Sequence, residues 1–241
     1  PGVLRKVSQE SQAGIKQIDM FGTSPGPLSG LNNWTMPFKP AGYEKVAHHM
    51  KALPREWNQV PIFIHVVGAS FHSDLIPPEK APRSIYDLLK PEYKGKIVSR
   101  TPWLGSNNLV HMASLQAWFG GSEKKWADFW TKFKANVGRY EPKWGKLHAA
   151  VGLKEFPLGI FTLPYTKFTF GRSYPGLDYS TFREPAIWWP NMMAIHKHAP
   201  HPNAAKLFME FAISAEGQNY FVQEGLIPAD SSIKPRGSLI K

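Results

Sequence analysis

The 241-residue chain is 42% hydrophobic and 13% aromatic, enough for one large core or two modest ones. It has no cysteine, which excludes disulfides, thiolate metal sites and cysteine nucleophiles and is permissive of export, and it has no run of about eighteen apolar residues. Its 29 Lys and Arg against 18 Asp and Glu give a net charge of +11, but the basic residues are scattered and no zinc-finger or RNA-binding pattern accompanies them. That balance favours a small anionic partner over nucleic acid.

In chain order, Leu4–Ala13 reads as a helix stopped by Gly14, and 16–22 (KQIDMFG) alternates like a short strand. Thr23, Ser24, Pro25 and Gly26 follow as a turn rich in hydroxyls and amides, with ordinary turn chemistry and ligand contact both open. Val46, Met50 and Leu53 are spaced for a short amphipathic helix. VPIFIHVV (60–67), bounded by Gly68, is a continuous apolar run and predicts a buried strand.

Lys96–Arg100 predicts a strand, TPWLGSNN (101–108) a turn, and Leu109–Phe119 a helix closed by Gly120 and Gly121. A strand, a Gly-Ser turn and a helix start leave backbone N–H groups and the positive end of the helix dipole facing the turn. Ser106, Asn107 and Asn108 would add side-chain donors to such an anion site, and a simple N-cap is the alternative. Trp126, Phe129, Trp130 and Phe133 share one face of the helix Lys124–Lys134 and read as core. A strand over 158–163 ends at Pro164, Tyr165 and Thr166. Trp188 and Trp189, with Asn191, precede the strand Met192–His196. Adjacent strand residues face opposite sides, so one tryptophan at most joins Trp103 in an aromatic wall for an organic solute.

His196, His198 and His201 form H-x-H-x-x-H, but no carboxylate lies close in sequence, so no metal and no cofactor are expected. Pro202 opens a helix in which Ala204, Leu207, Phe208, Phe211 and Ala215 form an apolar stripe, expected to dock on the core. Ser214 then caps a second helix, with Glu216 in its first turn and Gly225 as its stop. Paired carboxylates, a G-x-S-x-G elbow and a P-loop are absent, so no enzyme is expected.

Several of these segments resemble one family. APHPNAAKLF (199–208), S-x-EGQ (214–218) and G-x-x-P (225–228) match the C-terminal wording of class II periplasmic solute-binding proteins of bacterial ABC transporters, in the branch holding ferric-ion, thiamine and small-anion binders. SIYDLLKPEYKGKI (84–97) is similar to their "DLLDPKYKGKI" passage, MPFKP (36–40) to their "P-F/Y-x-P" loop, and KEFPLG (154–159) to their "G-E-x-P-I-G" passage. The resemblance implies an α/β, two-lobed fold with a ligand cleft between lobes, crossed by the strands at 60–67 and 192–196. It places 1–67 with 186–225 in the first lobe and 72–182 with 226–241 in the second, and implies that an N-terminal segment is missing. It also implies a periplasmic monomer, its signal peptide removed, that captures a small carboxylate or phosphorylated solute by hinge closure and delivers it to a membrane permease. Thr23, Ser24, Trp103, Ser106, Asn107, Asn108, Tyr165, Trp188, Trp189 and Asn191 become the candidate contacts. Iron-binding relatives carry adjacent tyrosines where this chain has Tyr165 followed by Thr166, which weakens the alternative of a ferric-ion or other metal carrier.

Overall fold

A computed structural model of the chain describes residues 2–24, 30–46, 50, 58–102 and 106–236, without the side chains of 2–4, 23 and 106–109. The chain forms two compact units, 1–65 with 189–236 and 66–188. Six α-helices are described: α1 (Gly2–Gln12), α2 (Ser106–Trp118), α3 (Glu123–Asn136), α4 (Trp144–Gly152), α5 (Pro202–Ile213) and α6 (Ala215–Gln223). The strands are β1 (Met20–Thr23), β2 (Thr35–Met36), β3 (Val60–Val66), β4 (Gly68–His72), β5 (Ile97–Arg100), β6 (Val137–Glu141), β7 (Leu158–Thr162), β8 (Leu177–Thr181), β9 (Trp188–His196) and β10 (Ile227–Pro228).

The first unit is built on a sheet of order β1-β9-β3-β10, with β2 also paired to β9. The apolar run predicted as a strand is β3, and the chain passes between units within β3 and β9, which are hydrogen-bonded neighbours. The strand expected over 16–22 forms only from Met20, antiparallel to β9 with Thr23 opposite Met192. The helix expected around Leu53 lies outside the described residues. Ile227 pairs with Ile64 and Pro228 with Phe63, so 226–236, expected with the second lobe, belong to the first unit.

The α5 stripe is corrected by the structure. Ala205, Met209, Ala212 and Ile213 are the buried residues, packed with Met50, Val60 and Ile62, whereas Leu207, Phe208 and Phe211 are 71%, 48% and 38% exposed. Both sets recur at three- and four-residue steps, so periodicity alone does not choose between them. The capped second helix is as expected: the Gly217 N–H donates to Ser214 Oγ at 3.1 Å, and Gly225 takes a φ of 79°. Gln218, fully buried on α6, donates to the carbonyls of Ile62 and Ala212 and accepts from the N–H groups of Ala229 and Asp230.

The second unit carries a sheet of order β6-β5-β7-β4-β8, with β5 parallel to β6 and β7 and β4 antiparallel to β7 and β8. Gly68 sits where a Cβ would come within 1.9 Å of the Ser180 carbonyl oxygen, so only glycine fits. A register shift beside it leaves Phe161 as an extra residue of β7 with a φ of 62°, uncommon for a bulky side chain. That bulge turns the Phe161 ring onto Trp130, Phe133 and His111. Phe129 and Phe133 of α3 are buried as predicted, and Trp126 and Trp130 are half-buried at the border of the same face.

Candidate functional site

Because β5, β6 and β7 run parallel, their carboxyl ends share one edge of the second sheet, and a helical turn starts beyond each: α2 at Ser106, α4 at Trp144 and a short π turn at Thr166. The first helical N–H groups of such turns have no carbonyl partners within their own helix, so this edge is suited to anions.

Arg100, the last residue of β5, is 8% exposed and is the one buried Lys or Arg among the described residues. Its guanidinium lies over the Trp144 ring at 4.7 Å, and Nη1 donates to the Glu141 carbonyl at 3.1 Å. Nε is buried and makes no hydrogen bond among the described residues, and no carboxylate there pairs with the side chain. Burial lowers the Arg100 pKa, yet an arginine stays charged. Trp144 stacks on His148 at 5.9 Å and 15°, and His148 meets Phe170 at 4.3 Å. Burial, and secondarily Arg100, holds His148 down to about 3, so its ring is neutral, with Nε2 3.4 Å from Thr166 Oγ1. Burial pushes the Tyr165 phenol up to about 12 against a smaller opposing effect of Arg100.

The predicted site residues fall into separate groups. In the first unit, Ser24 follows β1 and is 2% exposed, its Oγ without a hydrogen-bond partner among the described residues. Asn191 precedes Met192, the partner of Thr23 in the β1–β9 register, and its Oδ1 would lie 3.6 Å from a Cβ on Gly22. Thr23 ends β1, with its side chain outside the described set. Trp188, the last residue of the second unit's main segment, and Trp189, in the first unit, lie within β9 instead of preceding it, and their opposed exposures of 40% and 4% follow the alternation expected of a strand. Trp189 packs at 5.4 Å on His65, whose pKa burial lowers to about 4. In the second unit, Ser106, Asn107 and Asn108 form the first turn of α2, three residues earlier than the predicted helix start. Trp103 lies outside the described residues. Tyr165 stands at the end of the β7 segment, 6.4 Å from Phe170.

The three histidines do not converge. His196 is buried, with Nε2 2.8 Å from Ser11 Oγ and Nδ1 accepting from the His198 N–H, while His201 pairs with Asp19. Among the described residues no group of three or more His, Asp or Glu side chains is placed to hold a metal ion. The sequence reading missed Arg100, Trp144 and His148. The available signal was an arginine closing an otherwise buried strand, KIVSR, since lone arginines are rarely fully buried.

A family model described as bacterial extracellular solute-binding protein matches residues 32–237. A search of curated proteins found no match. Among solved structures, the periplasmic binding protein P5PA aligns at 24% identity and a TM-score of 0.79, covering 100% of this chain and 78% of its own. The periplasmic binding protein AfuA from Actinobacillus pleuropneumoniae, with fructose-6-phosphate bound, aligns at 19% and 0.78, covering 99% and 76%. Iron-bound HitA from Pseudomonas aeruginosa aligns at 20% and 0.79, covering 98% and 78%. At these identities the structural likeness establishes the fold.

Proposed function

From the premise that the chain belongs to the bacterial extracellular solute-binding proteins, we propose that its solute is a small organic anion, a carboxylate or a phosphorylated compound, taken at the β5–α2 edge of the second unit. One observation carries this reading: the Arg100 side chain is buried at that edge and no carboxylate pairs with it among the described residues, the Glu141 carboxylate on the neighbouring strand being paired with Arg139. A buried charge without a counter-charge is costly, and an anionic ligand supplies one. In this reading the first N–H groups of α2, with Ser106, Asn107 and Asn108, bind the same anionic group. Ser24 and Asn191, with Thr23, are proposed as solute contacts in the first unit, and Trp103 or one of Trp188 and Trp189 as apolar contacts. The likeness to AfuA, which was solved with a sugar phosphate, is compatible with an anion. The likeness to iron-bound HitA raises ferric ion as the alternative, but this chain offers one tyrosine there, Tyr165 followed by Thr166, in place of a tyrosine pair. Export to the periplasm, action as a monomer and delivery to a membrane permease complete the proposal.

The test is a thermal-shift screen of carboxylates, phosphorylated compounds, polyamines and ferric ion, followed by calorimetry on Arg100→Gln. A hydrogen bond to a charged group is worth about 1.5–3 kcal/mol, so Arg100→Gln should weaken the best anion at least about tenfold. A best ligand that is cationic or neutral, or an unchanged affinity in Arg100→Gln, overturns the proposal.

A further inference from the structure

The connection from β6 to α4 consists of Pro142 and Lys143, and the residues at both of its ends hold Arg100. On the strand side, the Glu141 carbonyl accepts from Arg100 Nη1 at 3.1 Å and from the Thr101 N–H at 3.2 Å. On the helix side, Trp144 opens α4, and the guanidinium carbon lies 4.7 Å from the centre of its ring. The N–H bonds of a guanidinium lie in its plane, so the bond to Glu141 limits rotation within that plane, while the ring covers one face and limits tilt. Arginine has much rotamer freedom to lose on binding, and a guanidinium held in both senses has lost part of it before an anion arrives.

Trp144 is itself held. Residues four apart share a helix face, and Trp144 and His148 stack at 5.9 Å with 15° between their planes. His148 packs on Phe170 at 4.3 Å, and Leu147, Ala150 and Val151 anchor α4 against Val98 and Leu177. Burial keeps the His148 ring neutral, so no second positive charge enters the stack. A carboxylate in place of Trp144 would also fix Arg100, but it would neutralise the charge and occupy N–H groups. An aromatic face does neither.

We propose that Trp144 is a positioning residue for anion capture, holding the Arg100 guanidinium in one orientation while leaving its charge to the anion. The inference rests on the solute reading, in which Arg100 meets the anion, and concerns a residue to which that reading gives no part.

The test begins with nuclear magnetic resonance of the solute-free chain carrying isotope-labelled arginine. The Arg100 Nε–H signal, identified by its loss in Arg100→Gln, should be displaced by the indole ring current. Trp144→Leu should return it to the position of solvent-exposed arginines, and Trp144→Phe, which keeps an aromatic face, should preserve most of the displacement. Trp144→Gln, also without a ring, gives the same comparison with a polar side chain should the leucine variant not fold. In parallel, inorganic phosphate is titrated by calorimetry at constant ionic strength. Trp144→Leu should weaken phosphate about tenfold, and Trp144→Phe by less than about threefold. An Arg100 signal unmoved in Trp144→Leu overturns the inference. So does phosphate binding that Arg100→Gln weakens and Trp144→Leu does not, or a loss as large in Trp144→Phe as in Trp144→Leu, which marks lost packing instead of a lost ring face. Phosphate bound equally by the parent and Arg100→Gln, or by neither, counts against phosphate recognition in the solute reading, and the Nε–H signal alone then decides the positioning inference.

Discussion

Replacing Gln218 by Met tests whether one side chain ties α6 to the rest of the first unit. The amide is fully buried and makes four hydrogen bonds: Nε2 donates to the Ile62 carbonyl at 2.9 Å and the Ala212 carbonyl at 2.6 Å, and Oε1 accepts from the N–H groups of Ala229 at 2.6 Å and Asp230 at 3.2 Å. Met matches the length of Gln and favours a helix equally, so propensity and volume change little. Four backbone groups lose a partner with no route to bulk water. A buried donor or acceptor left unmet costs about 1–3 kcal/mol. The two carbonyls cost less because each has a second lone pair that can be satisfied, so the two N–H groups set a floor of about 2 kcal/mol. Against a domain stability of about 5–15 kcal/mol this is a large loss. Urea unfolding followed by circular dichroism measures it, and the lost partners should lower the midpoint without changing the slope. A loss under about 1 kcal/mol at unchanged slope would refute the reasoning, since the backbone groups would then have found other partners.

Acid should destabilise the protein through two histidines. His65 and His148 have folded pKa values lowered by burial to about 4 and about 3, below the ordinary value near 6.5, so their stabilisation is full above about pH 6.5 and is lost as pH falls through the folded values. Between pH 7 and 5 each should remove about 2 kcal/mol, and His148→Leu should remove its share of that pH dependence; parallel pH profiles for the two proteins would contradict it. Met209→Ala should cost about 2–5 kcal/mol, whereas Leu207→Ala, on the exposed face of the same helix, should stay within about 0.5 kcal/mol, as chemical denaturation would show. Gly68→Ala should be among the most damaging single substitutions in the second unit, because its Cβ would meet the Ser180 carbonyl and Tyr179 Oη; a melting temperature within a degree or two of the parent would contradict this, by the usual scale of about 2–4 °C per kcal/mol. Ferric titration at neutral pH should give no strong tyrosinate charge-transfer band, and a band lost in Tyr165→Phe would restore the iron reading.

Much of the fold was legible because its signals are local. An N-cap at Ser214, a left-handed stop at Gly225 and a continuous apolar run for β3 each depend on a few neighbouring residues, and each appears where expected. The register of α5 was not legible for a physical reason. The helix is apolar on two faces, and burial went to Ala205, Met209, Ala212 and Ile213, while Leu207, Phe208 and Phe211 stayed exposed. A hydrophobic stripe reports which residues could be buried. Which stripe is buried depends on what packs against the helix, here Met50, Val60 and Ile62, and those partners are distant in sequence. The partnership of 226–236 with the first unit was hidden in the same way, since the two-residue strand β10 has no pattern of its own and exists only because β3 offers an edge.

The candidate site divides along the same line. The end of β5 at Arg100 and the start of α2 at Ser106 lie close in sequence, so a strand end followed by a helix N-terminus could be anticipated there. What makes the edge electrostatically unusual is a convergence of residues far apart in the chain: Arg100 from β5, Trp144 and His148 from α4, Tyr165 after β7. Each alone has an ordinary explanation. Arg100 could have been a surface residue at a strand end, Trp144 a helix-start aromatic and His148 a core filler. Their joint meaning comes from the parallel order of β5, β6 and β7, which brings three carboxyl ends to one edge. Once there, Trp144 covers one face of the guanidinium, and His148 and Tyr165, both held uncharged by burial, supply no counter-charge. A largely buried cation with no paired carboxylate is costly, which is what motivates the proposed anionic solute, and composition and motif spacing do not encode that environment.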